Sequence, residues 1–149
     1  MKTKRIGRVV GKKGNATLAK FMELVPLGDN SNLFMLPNLH DFPKLCDFFN
    51  FVSDQMEGEQ YKIYPEFDTD WNWLMHVVER IESLLEGNIE VKIKCNSCSI
   101  YITTQFPIGM VDLNIEYYNE PTKINAVFLA CVEFAIFYRR NKLLFGDTN

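Results

Sequence analysis

Between Trp71 and Ile102 the apolar residues change their period, and that change restricts the fold more than any other feature of the chain. In "WNWLMHVVERIESLLEG", Trp71, Leu74, Met75, Val78, Ile81 and Leu85 recur at the three- and four-residue spacing of a helix with one buried side. Thr69 or Asp68 offers its cap and Gly87 its stop. After Gly87 the spacing becomes two: Ile89, Val91, Ile93 and Cys95 point one way, and Glu90, Lys92 and Lys94 the other. Asn96 and Ser97 can turn the chain, and Cys98, Ile100 and Ile102 then return along the same apolar face. Val111, Leu113, Ile115 and Tyr117, alternating with polar residues, supply a third strand after a loop with Pro107 and Gly109. A sheet with one wet and one apolar face needs a cover, and the adjoining helix has an apolar side to give it.

More cover comes from "PTKINAVFLACVEFAIFYRR", in which Ile124, Val127, Phe128, Cys131, Phe134, Ala135 and Tyr138 make so wide a stripe that the helix must be enclosed on most sides. Arg139, Arg140 and Lys142 suit its C-terminal end. Upstream, Asn15 to Leu24 reads as a short helix capped by Asn15, with Leu18, Phe21 and Met22 on one side. "VPLGDNSN" breaks it, "LFMLP" reads as a brief strand, and "YKIYP" can add another. Between them, "DFPKLCDFFNFVSDQMEG" has Asp41 at a cap position, Pro43 in a first turn, apolar Leu45, Phe48, Phe49, Val52 and Met56, and Gly58 as a stop. The expected fold is α+β: a three-stranded antiparallel meander with helices packed on one face. A chain of 149 residues, 47% hydrophobic, suits one core. The expected division is a basic N-terminal arm over residues 1–14 and a single α+β domain over residues 15–149.

Charge is distributed unevenly. Lys2, Lys4, Arg5, Arg8, Lys12 and Lys13 place six of the 16 basic residues in the arm, and no acidic residue precedes Glu23. The remaining ten face all 19 carboxylates, so any phosphate contact would have to be local to the arm. No apolar run reaches the roughly 20 residues of a membrane helix, and "MKTKRIGRVV" leads into "GKKGN" rather than the apolar segment of a secretory signal. A cytoplasmic location is expected, with no membrane contact. Four cysteines, Cys46, Cys95, Cys98 and Cys131, are too few for a disulfide framework, so reduced thiols are expected.

Three motifs invite chemistry, and each has a plainer reading. The Gly11 to Gly14 turn resembles the backbone grip of a KH domain, but that fold needs a strand and a helix before the turn, which ten residues do not supply. It reads instead as a flexible basic turn joining an edge strand to the first helix. Cys95 and Cys98 form a Cys-x-x-Cys at a hairpin tip, yet Cys46, Cys131, His40 and His76 sit at no ligand spacing to complete a zinc site. Facing each other on the core side, they read as small core residues. His76 shares the polar side of its helix with Glu79, Arg80 and Ser83, a solvated face, and His40 reads as a loop or pre-cap residue. No catalytic residue, metal ligand or cofactor is assigned.

"NATLAKFM" (Asn15 to Met22), "DWNWLMHVVERIE" (Asp70 to Glu82), "CSI" (Cys98 to Ile100) and "TKINAVFLACVEFAIFYRRN" (Thr122 to Asn141) carry a resemblance. They look like segments of a family of small uncharacterised proteins from Bacteroides-type gut bacteria and their phages. The resemblance covers the first helix and most of the second half of the chain, and Asn30 to Phe67 is longer than it implies. It implies a setting, a bacteroidete or phage cytoplasm, and no mechanism.

The functional expectation rests on aromatics. Trp73 and Phe51 lie off the main stripes of their helices, and exposed aromatics at such positions mark contacts with another protein or a second copy of the chain. The expectation is a non-catalytic accessory protein acting through protein contacts or self-association. The alternative is a weak nucleic-acid binder using Lys2, Lys4, Arg5, Arg8, Lys12 and Lys13.

Overall fold

A computed structural model describes residues 8–28, 33–56, 62–102 and 113–146, with side chains in the first segment from Lys13 onward. Helix α1 (Arg8–Phe21) is followed by a two-residue ladder of β1 (Val25–Pro26) on β2 (Phe34–Met35). Helices α2 (Cys46–Gln55) and α3 (Trp71–Ser83) come next, then strands β3 (Ile89–Lys94), β4 (Ser97–Ile102) and β5 (Asn114–Tyr117), and finally helix α4 (Lys123–Arg140). The class is α+β, and β3, β4 and β5 form the antiparallel meander that the alternating residues predict.

Register explains the sheet's two faces. Val91, Ile100 and Ile115 stand side by side, as do Ile93, Cys98 and Tyr117, and α3 and α4 pack over this face. Glu90, Lys92, Lys94 and Glu116 occupy the other face and are exposed. Helix α4 is enclosed as its wide stripe requires: Ala126 to Cys131, Phe134, Ala135 and Tyr138 are buried against the sheet, α1 and α3. Each buried Phe or Leu of this kind contributes roughly 1.5–3 kcal/mol relative to exposure, which makes α4 the chief organiser of the core. Thr122 caps it by accepting a hydrogen bond from the Asn125 backbone N–H.

Several local expectations are corrected. Helix α1 begins at Arg8 and runs through Gly11 and Gly14, so there is no Gly-x-x-Gly turn, no edge strand at Val9, and no helix start at Asn15. It passes straight across the expected boundary between residues 14 and 15. The reason lies in packing: a Cβ on Gly14 would sit 2.5 Å from Phe128 Cζ, so glycine is what lets α1 approach α4. Phe21 then closes the same contact edge-on to Phe134 and Tyr138, at centroid distances of 6.0 and 5.3 Å.

Asp41 caps no α-helix. Leu39–Asp41 and Pro43–Leu45 are separate 3-10 turns, the first capped by Asn38, whose side chain accepts from the His40 N–H. Phe42 between them has an extended φ of −135°, as a residue before proline prefers, and α2 starts only at Cys46. "LFMLP" forms β2, while "YKIYP" contributes a single bridge, Ile63 exchanging both backbone hydrogen bonds with Phe34. Asp70, not Thr69 or Asp68, caps α3 by accepting from the Asn72 N–H at 2.8 Å. Gly58, Val111 and the Pro107 loop lie outside the described residues.

At the β3–β4 hairpin, Lys94 pairs with Ser97, so Cys95 and Asn96 form the two-residue turn. Cys95 takes a left-handed φ of 51° and is exposed, while Cys98 is buried opposite Ile93. The two cysteines therefore do not face each other on the core side. No helix among the described residues is long and apolar enough to cross a membrane.

Candidate functional site

Helix α3 carries two surface features, an exposed ridge and one wall of a groove. Its buried arc is Trp73, Leu74, Val77, Val78 and Ile81, rotated from the stripe that its sequence predicts. Trp73 is only 2% exposed, whereas Trp71 and Met75 are each 37% exposed. The partner-binding role expected of Trp73 and Phe51 loses its premise, because neither presents an open aromatic surface. Trp73 meets Phe48, Phe51 and Phe67 edge-on at 6.1, 5.4 and 5.2 Å, and Phe51 is half-buried in that contact. The cause is α2, which lays Phe48 and Phe51 beside α3 and widens the buried arc to include residue 73. Trp73 Nε1 is buried with no hydrogen-bond partner among the described residues, so the indole serves as apolar filling.

The rotation turns Trp71 and Met75 outward. One helical turn apart, they continue into the exposed Glu79, and the three make a ridge along α3. The helical spacing of the sequence puts Trp71 and Met75 on the core side. The near-continuous apolar run from Trp73 to Val78 hides which arc faces inward, so the only available signal was the aromatic partner segment upstream.

Beside the ridge runs a groove of about 400 Å³, bounded by Asp41–Phe48 on one side and the next arc of α3 on the other. Met22, Leu45 and Phe48, all buried, give it an apolar floor. His76 is half-buried there with its ring 5.5 Å from that of Phe48 and 4.9 Å from that of Phe51, rather than on a solvated face. Asp41, Lys44, Asp47 and Glu79 stand around the opening and are exposed. Arg80 also borders it, but its guanidinium lies 4.6 Å from the centroid of Phe21 and 5.6 Å from that of Tyr138, with Nη2 4.0 Å from Glu23 Oε2. Its charge is thus engaged by α1 and α4.

Two of the four thiols, Cys98 and Cys131, are buried and placed for packing, whereas Cys46 and Cys95 are exposed. Burial pushes the Cys98 thiol up to about 12, and burial, reinforced by neighbouring Cys98, raises Cys131 as well. Protonated thiols are poor nucleophiles and poor metal ligands. Among the described residues no cluster of three or more His, Cys, Asp or Glu is placed to hold a metal. A part-buried polar pair joins β5 to α4: the Tyr117 hydroxyl donates to Glu133 Oε1 at 2.8 Å, and burial, that hydrogen bond and the charges of Glu133 and Glu120 all raise its ionisation above the ordinary tyrosine range. Asn125 Nδ2 donates to Glu120 Oε1 at 3.0 Å.

Of the basic residues read as a nucleic-acid arm, Lys13 is exposed on α1, Arg8 and Lys12 belong to that helix, and Lys2, Lys4 and Arg5 lie outside the described residues. Comparison with family models, with curated proteins and with solved structures yields no match.

Proposed function

We propose that this is a non-catalytic accessory protein that works by touching another protein or a second copy of itself, along the α3 ridge of Trp71, Met75 and Glu79. The observation that carries the reading is the outward placement of Trp71 and Met75 on a helix whose opposite arc is core. Tryptophan and methionine contribute large contact area, and paired one turn apart they match the anchor spacing by which helices dock. The resemblance alone supplies the setting, the cytoplasm of a bacteroidete or of a cell carrying its phage.

The test places a photoreactive benzoylphenylalanine at Met75, or at Lys92 on the outer sheet face, in the producing bacterium. Irradiation is expected to give a discrete crosslinked species from position 75 and none from position 92, and Trp71→Ala is expected to abolish it. Equal crosslinking from both positions, or none from position 75, contradicts the reading.

A further inference from the structure

We propose that the groove beside His76 is a binding site for a small primary amine carried on an aromatic or apolar body. The proposal stands on the groove alone and does not require the ridge to bind protein. A volume of about 400 Å³ lies within the range of small-molecule sites, which pair an apolar lining with a few polar groups that fix orientation. Phe42, Pro43 and Leu84 add apolar lining above the buried Met22, Leu45 and Phe48, and the His76 ring lies tilted against the rings of Phe48 and Phe51.

The sign of the ligand's charge follows from the groove's own charges. Asp41, Asp47 and Glu79 bring three carboxylates to its opening, against the cations Lys44 and Arg80. Arg80 is held between the Phe21 and Tyr138 rings and near Glu23, so its charge is spent on the protein side of the helix. Lys44, three residues from both Asp41 and Asp47, leaves the opening negative. An ammonium group is attracted there, with the half-buried Phe42 among the lining residues. A carboxylate ligand would meet the same three groups as repulsion.

Three indoles of matched shape test this by titration against the 15N-labelled protein: tryptamine, 3-methylindole and indole-3-acetate. Tryptamine is expected to shift resonances of His76 and its groove neighbours and to bind at least about tenfold more tightly than the other two, a difference of about 1.4 kcal/mol. The Asp47→Asn/Glu79→Gln double variant, altered only at exposed positions, is expected to reduce that preference to near parity while keeping its native spectrum. Equal binding of 3-methylindole and tryptamine overturns the proposal in favour of a purely apolar cleft. Tighter binding of indole-3-acetate overturns it in favour of an anion site built on Lys44 and Arg80. No shift from any of the three at saturating solubility overturns it altogether.

Discussion

Asn15 and Asp68 hold each other by two reciprocal hydrogen bonds, Asn15 Nδ2 donating to Asp68 Oδ1 at 2.8 Å and the Asp68 backbone N–H donating to Asn15 Oδ1 at 3.1 Å. Each has the composition of a helix cap, and each is used instead to tie the middle of α1 to the turn that launches α3. Asp70, at the end of that turn, caps α3, so the pair anchors the turn from which α3 starts.

A double-mutant cycle measures this tie. Asn15→Ala and Asp68→Ala are each expected to destabilise the fold, and the two together by less than their sum, with a coupling of about 1–2 kcal/mol for a charge-assisted, part-buried pair. Urea unfolding of the four proteins gives the value. Strict additivity would mean that the two side chains do not act on each other.

Gly14→Ala separates two opposed effects. Alanine favours a helix interior over glycine by about 1 kcal/mol, whereas overpacking against Phe128 costs about 1–3 kcal/mol. The close approach is expected to win, lowering the melting temperature by several degrees, and the loss is expected to be recovered when Phe128→Leu makes room. A rise in melting temperature for Gly14→Ala alone would show that α1 does not lie so near α4.

Much of this architecture is legible in the sequence, for a physical reason in each case. The alternation from Ile89 to Lys94 and from Cys98 to Ile102 reports a one-sided sheet because a strand's period of two exposes its register directly. The stripe of α4 is so wide that any rotation leaves it buried. Helix α3 is different: apolar residues occupy most of its circumference, and only the aromatic side chains of α2 and Phe67, distant in sequence, decide that Trp73 goes in and Trp71 comes out. The start of α1 is hidden for a similar reason, since Gly14, which looks like part of a turn, is there to admit Phe128. His76, Glu79, Arg80 and Ser83 were legible as one polar arc, but not the Asp41–Phe48 segment that faces them and makes a groove.

Alkaline pH supplies a third expectation. Cys98 has an ordinary thiol value of 9.0 when unfolded and about 12 when folded, so below pH 9 both states hold the proton and its contribution to stability is fully present. Between pH 9 and 12 the unfolded thiol ionises while the folded one does not, and stability falls by an amount of order 4 kcal/mol. Tyr117, raised in the same direction, steepens the loss above pH 10. Unfolding free energy measured from pH 8 to 11 is expected to decline, and less steeply in Cys98→Ala, whatever that variant's stability at pH 8. Identical slopes would contradict the burial of the thiol.

The rotation of α3 underlies the whole functional reading, and the chain's two tryptophans, Trp71 and Trp73, report it directly. Acrylamide quenching of Trp73→Phe, which retains Trp71, and of Trp71→Phe, which retains Trp73, measures the exposure of each indole. The account predicts strong quenching and red-shifted emission from Trp71, with weak quenching and blue-shifted emission from Trp73. Equal quenching, or the reverse order, would contradict it.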